Sequence, residues 1–185
     1  DAEGQVLATA EGLGTVQLAA NGITPWTPET PALYTLRVNV TANGTADTAE
    51  QRIGIRTIQV SSKTGLLLNG QPRTMKGGCI HHDLGILGAA DHAAAERRRI
   101  RLMKESGFDA IRAAHNPFGP AFLDACDELG MLVVEEAFDE WVMGRTSFGL
   151  HVTFEQCWEK DLEDMITRDY NHPCIVMWST GNEVE

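Results

Sequence analysis

The sequence predicts an α/β fold preceded by an all-β portion, with the change between the two near residue 65. Two observations support this prediction. Over residues 1–64, apolar and polar residues alternate in short runs, as is typical of half-buried antiparallel strands. From about Met75 onward, short apolar runs alternate with amphipathic helical patterns, as is typical of parallel βα units. We therefore expect a β-sandwich portion over 1–64 and a set of βα units over 65–185.

The clearest strand of the first portion follows three prolines, which keep the preceding segment out of helix. Its apolar residues share one face, which we expect to be buried: Tyr34, Leu36, Val38 and Val40. Asn43-Gly44 then supplies a turn that tolerates positive φ, and the strand pattern resumes at Ile53. A second Asn-Gly pair, Asn69-Gly70, is expected to close a small hairpin. These signals indicate part of an antiparallel sandwich.

Four strands and three helices are expected in the second portion. The strands are Met75 to Ile80, Phe108 to Arg112, Met131 to Glu135 and Cys174 to Trp178. The helices run from Asp91 to Ser106, from Pro120 to a stop at Gly130, and from a capping box at Thr153 to Gln156 up to Pro173. The third helix is expected to bury Trp158, Leu162 and Met165. Four βα units are half of an eight-stranded barrel of ~250 residues, so we expect a truncated (β/α)8 TIM barrel.

Composition narrows the class of partner. The formal net charge of -11, with acids and bases mixed along the chain, argues against nucleic acid and anionic membranes and favours a neutral or small polar ligand such as a sugar. No apolar run approaches the ~18 residues of a membrane span. The four cysteines are too widely spaced for a disulfide scaffold and are interpreted as free core thiols: Cys79, Cys126, Cys157 and Cys174.

Polar residues follow all four predicted parallel strands. In βα barrels the reactive groups lie at the carboxyl ends of the strands. The polar groups there are His81-His82-Asp83, Arg112 with His115-Asn116, Glu135-Glu136 with Asp139-Glu140, and Asn182-Glu183. Each group taken alone is typical of a solvated loop, but together they converge on one edge. The sequence therefore predicts a polar site at this edge.

Two histidine-containing segments raise the question of a metal. His is a common ligand, but His81-His82 has no third ligand at a fixed spacing and is interpreted as a polar site wall. Asn171-His172-Pro173 is interpreted as a helix-to-strand turn. The sequence therefore predicts neither a metal nor a cofactor.

Several linked motifs span nearly the whole chain in a fixed order. They lie in Gly77 to Asp83, Phe108 to Pro117, Leu123 to Met131, Arg168 to Pro173 and Val176 to Glu183. In this order they resemble the first half of the catalytic barrel of glycoside hydrolase family 2. Trp26 to Tyr34 and Gly54-Ile55-Arg56 resemble strands of the immunoglobulin-like domain that precedes that barrel. The resemblance implies a retaining, exo-acting β-glycosidase that hydrolyses terminal β-linked sugars.

The resemblance also implies roles for individual residues. Glu183 matches the catalytic acid/base, which protonates the glycosidic oxygen and later activates water. Asn182 matches the residue that hydrogen-bonds the sugar 2-hydroxyl. Arg112, His115 and Asn116 match positions that line the sugar subsite. For Arg112, a structural ion pair with a strand-end carboxylate such as Glu136 stays open as the alternative.

Other residues are expected at the rim of the same subsite. His81 and His82 are expected on the sugar-binding wall. Asp139 and Glu140 lie in a loop that reaches the sugar hydroxyls in relatives, although Trp141 stands near where some members have a His. Glu135-Glu136 is expected to serve as scaffold and rim.

The substrate is inferred from the resemblance alone. A β-galactoside is expected, because the His-His-Asp turn and the segment from Ala137 to Trp141 look closest to β-galactosidases. β-Glucuronidase, β-mannosidase and a non-catalytic carbohydrate-binding fragment stay open, as do a homo-oligomer and a cytoplasmic, periplasmic or secreted location.

The family nucleophile is a Glu after the seventh strand, and the chain ends after the fourth. Glu185, which lies outside the residues that the structure describes, is expected on the same wall as Glu183 and is not expected to replace the nucleophile. We therefore expect residues 1–185 alone to be inactive.

Overall fold

A computed structural model describes residues 1–184 of the chain. The strands are β1 Tyr34–Ala42, β2 Thr45–Ile53, β3 Ile58–Ser61, β4 Gly65–Leu68, β5 Gln71–Pro72, β6 Gly77–Ile80, β7 Ala110–Ala113, β8 Leu132–Glu136 and β9 Ile175–Ser179. The helices are α1 Ala93–Glu105, α2 Pro120–Leu129 and α3 Phe154–Asp169. The strands form three sheets, ordered β1-β2, β3-β4-β5 and β6-β7-β8-β9.

Strands β1 and β2 form an antiparallel hairpin, as the sequence predicts. The turn residues Asn43 and Gly44 have φ of 51° and 79°, values that Asn and Gly tolerate better than other residues. The burial predicted for this face is only half right. Leu36 is half-buried, but Val38 and Val40 are 47% and 58% exposed. The reason is that, within residues 1–184, this outer half of the hairpin has no second sheet packed on it.

The second sheet leads the chain into the parallel sheet. Its β4–β5 turn contains Asn69 and Gly70 with φ of 50° and 76°, which confirms the predicted hairpin. The side chain of Asn69 bridges the neighbouring segments, because its amide nitrogen donates to the carbonyl of Trp26 at 3.0 Å and its oxygen accepts from the N–H of Thr57 at 2.9 Å. This turn therefore also fixes the Trp26 segment.

The four-stranded sheet is parallel throughout, as the alternating pattern predicts. Gly77 pairs with Ala110, and Ala110 pairs with Leu132, so the first three strands start at one level. The fourth joins through a register shift between Val133 and Val134, after which Glu136 lies opposite Ser179. Because the strands are parallel and in register, their carboxyl ends form one edge, which we call the site edge (the ends of β6 to β9 and the loops that follow).

The observed helix boundaries agree with those predicted from the sequence better than the observed helix caps agree with the predicted ones. Gly130 ends α2 in the left-handed conformation, with φ 72°. The capping box predicted at Thr153 is wrong, because Thr153 makes no side-chain capping bond and has ψ of -2° instead of an extended conformation. The burial of Trp158 is also wrong, because it is 42% exposed whereas Met165 is buried. No helix in residues 1–184 is long and apolar enough to cross a membrane.

One apolar core joins the parallel sheet to its helices. Ile100 of α1 and Phe122, Leu123 and Cys126 of α2 are buried in it, as the helical patterns predict. Cys174 is buried as well, but Cys79 is exposed and Cys157 half-buried, so the prediction of core thiols holds for only two of the four cysteines. The described residues contain free cysteines only.

A buried polar junction links the β-rich portion to the βα portion. The indole of fully buried Trp26 donates to the carbonyl of Asp127 at 2.9 Å, and Arg56 donates to the carbonyls of Pro173 and Ile175 at 2.9 and 2.7 Å. These bonds satisfy carbonyl groups near the end of α2, in the turn after α3 and at the start of β9. The sequence resemblance at Trp26 and Arg56 therefore corresponds to contacts between the two portions.

His172 belongs to the same junction. The ligand atoms of Asp127, His172 and Cys174 lie within 4.8 Å of one another. The Asp127 carboxylate already accepts from His172 Nδ1 at 2.6 Å and from the N–H of Cys174 at 3.0 Å. Burial disfavours the charged imidazole, but the hydrogen bond to Asp127 and the nearby carboxylates together outweigh it and raise the pKa of His172. The turn interpretation of Asn171-His172-Pro173 is confirmed by the bond from the N–H of His172 to the carbonyl of Asp169 at 3.0 Å.

Two adjacent glycines in β6 should respond differently to an added methyl group. A Cβ at Gly77 would overlap the backbone carbonyl of Ala110 on β7, whereas a Cβ at Gly78 would meet only the Phe108 ring at 3.8 Å. We expect Gly77→Ala to destabilise the fold by ~1–3 kcal/mol through overpacking. The matched control Gly78→Ala should stay within ~0.5 kcal/mol of the parent. Urea midpoints would measure both, and equal midpoints would contradict the close packing of β6 on β7.

Candidate active site

A buried carboxylate, Glu136, organises the site edge at the end of β8. Its oxygens accept two bonds from the guanidinium Nη2 of Arg112 at 2.7 and 2.9 Å and one from Arg112 Nε at 3.0 Å. His115 Nδ1 lies 2.7 Å from one oxygen, and the hydroxyl of Ser179 donates to the other at 2.7 Å. Burial alone would raise the pKa of Glu136. The hydrogen bonds outweigh it, so this pKa lies below its usual value.

The Glu136 carboxylate fixes the orientation of two site residues. An ionised carboxylate only accepts hydrogen bonds, so His115 Nδ1 carries the proton in their contact and Nε2 is left for other partners. The hydrogen bond to Glu136 also raises the pKa of the Arg112 guanidinium. Arg112 therefore forms the ion pair that the sequence left open as an alternative to a role in the subsite.

Arg112 also contacts the residue next to Glu183. Its Nη2 donates to the side-chain oxygen of Asn182 at 2.9 Å, and the Asn182 amide nitrogen donates to Asp139 at 3.1 Å. The N–H of Asn182 is bonded to the carbonyl of Phe138 at 2.9 Å. The Asn182 side chain is thus held with its oxygen towards Arg112 and its nitrogen towards Asp139. The two alternatives for Arg112 are therefore compatible.

Glu183 is an exposed carboxyl of the site edge. Its N–H is bonded to the carbonyl of Asp139 at 3.3 Å, and its side chain is 67% exposed. A carboxylate oxygen forms an ion pair with Arg145, which lies in the loop between β8 and α3. Glu183 is therefore open to a ligand, whereas Glu136 is enclosed.

A second buried carboxylate, Glu140, holds the loop that carries Arg145. It accepts from the ring Nδ1 of His151 at 2.9 Å, from the N–H of Arg145 at 2.9 Å and from the N–H of His151 at 3.2 Å. These bonds lower the pKa of Glu140 to about 2, and the bond from the His151 ring has the largest effect. Trp141 adds an indole bond to the carbonyl of Thr180 at 3.0 Å, which ties the loop to the segment before Glu183.

The structure brings together most of the residues predicted from the sequence. Arg112, His115, Asp139 and Asn182 are joined through Glu136 or directly, and Glu183 follows Asn182. The His81 ring lies edge-on to His115, with centroids 5.2 Å apart. Asn116 is exposed beside His115.

His82 departs from the prediction. Its ring stacks on buried Phe118 with centroids 4.0 Å apart, and its Nε2 lies 3.2 Å from the carbonyl of Pro117. Alternate residues of an extended segment point to opposite sides, so His82 points away from the side that His81 faces. It packs the loop after β6 against the loop after β7. His82 therefore supports the site by packing, and its place on the sugar-binding wall stays a prediction.

Sequence reasoning missed Ser179, Arg145 and His151. Ser179 is the last residue of β9, and its position at a strand end was a usable signal. Arg145 and His151 lie in a loop without periodic pattern, and nothing in their spacing shows that the chain folds back towards Glu183 and Glu140.

The fold supplies four parallel strands joined by helices, and an exposed carboxyl lies beside an immobilised amide at the carboxyl ends of these strands. The family model "Glycosyl hydrolases family 2, TIM barrel domain" matches residues 58–185, and "Glycosyl hydrolases family 2" matches residues 1–56. The chain belongs to glycoside hydrolase family 2.

The chain is similar to both β-galactosidases and β-glucuronidases. It is 40% identical to a β-galactosidase from Bacteroides ovatus, over 100% of this chain and 23% of that protein. A crystal structure of a family 2 member from Bacteroides cellulosilyticus superposes with a TM-score of 0.88 at 43% identity, over 91% of this chain and 22% of that one. A β-glucuronidase from Ruminococcus gnavus in complex with uronic isofagomine gives a TM-score of 0.86 at 30% identity, over 100% of this chain and 33% of that one. The chain thus spans between about a fifth and a third of the length of these relatives.

Proposed function

We propose that the protein carrying this chain is a retaining, exo-acting β-glycosidase in which Glu183 is the catalytic acid/base. The observation that carries the proposal is the fixed Asn182 amide, held between Arg112 and Asp139 immediately before the exposed carboxyl of Glu183. Such an arrangement holds one hydrogen-bonding group for a sugar hydroxyl next to one proton donor. Within this proposal, residues 1–64 are the immunoglobulin-like portion and 65–185 the first half of the barrel.

The proposed reaction has two steps. In the first, the Glu183 carboxyl gives its proton to the glycosidic oxygen as the bond to C1 breaks, and a nucleophilic carboxylate supplied outside these residues bonds to C1. In the second, the Glu183 carboxylate takes a proton from water as the water oxygen attacks C1 and releases the nucleophile. Asn182, His115 and Asn116 contact the sugar during both steps.

The electrostatics of the site edge favour a neutral sugar. The guanidinium groups there, those of Arg112 and Arg145, are both paired with carboxylates, Glu136 and Glu183. A uronic acid needs a cation that is free to pair with its carboxylate, and Arg112 is held by the buried Glu136. We therefore propose a β-galactoside as substrate. A β-glucuronide is the second candidate, because the Ruminococcus gnavus relative is a β-glucuronidase, and a β-mannoside is the third.

A panel of nitrophenyl β-glycosides tests this proposal on the full-length protein. We expect the highest kcat/KM for the galactoside, and NMR of the first product formed should show the β-anomer. A first product with the α-configuration would overturn the retaining mechanism. A preference for the glucuronide would leave the mechanism intact and replace the substrate.

Residues 1–185 expressed alone should show no turnover. The residues described here supply the acid/base wall, and the family's nucleophile belongs to the seventh strand. Without a nucleophile the glycosyl-enzyme cannot form. The same panel, assayed with the 185-residue chain, measures this. Turnover in the usual enzymatic range of ~1–1,000 per second would contradict it, and a non-catalytic fragment that only binds sugar would show saturable binding without product.

A further inference from the structure

Glu135 is a fully buried carboxyl one residue before Glu136. Neighbouring residues of a strand point to opposite faces, so Glu136 faces the site edge and Glu135 faces the helices. One oxygen of Glu135 accepts from the N–H of Phe118 at 2.9 Å. The other, Oε2, is buried and has no hydrogen-bond partner among the described residues. Most buried side-chain oxygens in proteins have a hydrogen-bond partner, so Oε2 of Glu135 is an exception.

The residue that Glu135 holds ends the loop carrying His115 and Asn116, which we call the His115 loop (residues 114–118). The Phe118 peptide is held on both sides, because its carbonyl accepts from Arg168 of α3 at 2.6 Å. Its ring is buried between His82, with centroids 4.0 Å apart, and Phe122, with centroids 4.5 Å apart. Movement of Phe118 would therefore move both the His115 loop and the loop after β6.

The charges around Glu135 do not neutralise an anion there. Arg168 of α3 donates to Asp169 at 2.6 and 2.7 Å and to the Phe118 carbonyl, and among the described residues it makes no hydrogen bond to Glu135. His172 is bonded to Asp127 at 2.6 Å. The buried thiols of Cys126 and Cys174 are also neighbours of Glu135.

Burial therefore dominates the ionisation of this carboxyl. It raises the pKa of Glu135 to about 8, against the opposing effect of the Phe118 N–H. The uncharged acid leaves one oxygen to accept from Phe118, and it avoids a buried anion without a paired cation. Since the folded chain holds a proton that the unfolded chain loses above its ordinary pKa, the stability from this contact falls as the pH rises towards 8.

We propose that Glu135 is a positioning residue that works as an uncharged carboxylic acid, holding Phe118 and thereby placing His115 and Asn116 for the sugar. The sugar-related part rests on the proposed function, whereas the placement of the His115 loop does not. Ionisation of Glu135 loosens the loop. Gln reproduces the uncharged acid, with a carbonyl for Phe118 and a polar group at the Oε2 position, while Ala removes the acceptor.

Hydrogen exchange of the full-length protein between pH 6 and 9.5, corrected for the intrinsic rate, tests the placement without reference to activity. In the wild type we expect peptides covering residues 114–118 to lose protection above about pH 8, where most of the carboxyl is ionised. Glu135→Gln should keep that protection across the range, and Glu135→Ala should lack it at every pH. Exposed Glu163→Gln, on α3, is the control and should follow the wild type.

Activity supplies the second readout. At pH 6, Glu135→Gln should keep KM within ~3-fold of the wild type, and Glu135→Ala should raise KM about tenfold with a smaller change in kcat, a difference of ~1.4 kcal/mol in binding. If the Gln and Ala variants lost protection equally and showed an equal rise in KM, the proposal would be overturned, because that result would mean that the anion is required. If no glycosidase activity exists in the wild type, the proposed function fails while the exchange result still decides the role of Glu135.

Discussion

Replacing Glu183 by Gln in the full-length protein should slow hydrolysis of substrates with poor leaving groups by ~100–10,000-fold, the usual contribution of a general acid/base. Gln keeps the shape of the side chain but has no acidic proton to transfer to the glycosidic oxygen. Sugar binding should change much less, because the Asn182 amide is held by Arg112 and Asp139 and not by Glu183. The measurement is kcat and KM on a series of alkyl and aryl β-galactosides.

The loss should depend on the leaving group. An activated aryl group departs without protonation, so the glycosyl-enzyme forms and then accumulates, because no base activates water. Added azide needs no base and should restore turnover, giving a β-configured glycosyl azide. The exposed Glu159→Gln on α3 serves as the control and should behave as the wild type. Equal losses across the leaving-group series, without rescue by azide, would remove Glu183 from the acid/base role.

The βα portion and its site edge were predictable because both depend on local periodicity. Short apolar runs with polar residues just after them indicated β6 to β9, and the structure places those strands within two residues of the predicted starts and one of the predicted ends. Parallel pairing then brings the strand ends together whatever the side chains are. Arg112 and Asn182 met for this reason, although they are 70 positions apart.

What could not be predicted depends on packing partners that no local pattern shows. Val38 and Val40 fit the period of a buried face, but burial requires a second layer, which their part of the hairpin lacks. His82 occupies a strand end, yet its ring is drawn inward by stacking on Phe118. Arg145 contacts Glu183 because Glu140 accepts a bond from the Arg145 N–H and so fixes the loop. The sequence predicts Glu140 only as a rim acid.

Glu136→Ala should be the most destabilising substitution at the site edge. It leaves the Arg112 guanidinium, half shielded from water, without the carboxylate that it contacts at 2.7 Å, and it removes the acceptor of Ser179 and His115. Removing one partner of a fully buried pair typically costs ~3–5 kcal/mol, and the loss here should lie towards the lower end because Arg112 is partly exposed. The free energy of unfolding, obtained from urea titration of the 185-residue chain by tryptophan fluorescence, would measure the loss. Glu136→Gln keeps an acceptor of the same shape and should cost less.

A double-mutant cycle separates the ion pair from the rest of this loss. Arg112→Met removes the cation that Glu136→Ala would strand, so the double variant should be less destabilised than the sum of the two single variants by ~0.5–3 kcal/mol. Ser179→Ala, which removes one hydrogen bond of 2.7 Å and strands no charge, is the matched control and should cost ~1 kcal/mol. If the two single losses at Arg112 and Glu136 simply add, then Glu136 acts through packing and not through charge. The low pKa of its carboxyl would then contribute nothing to the stability of the site edge.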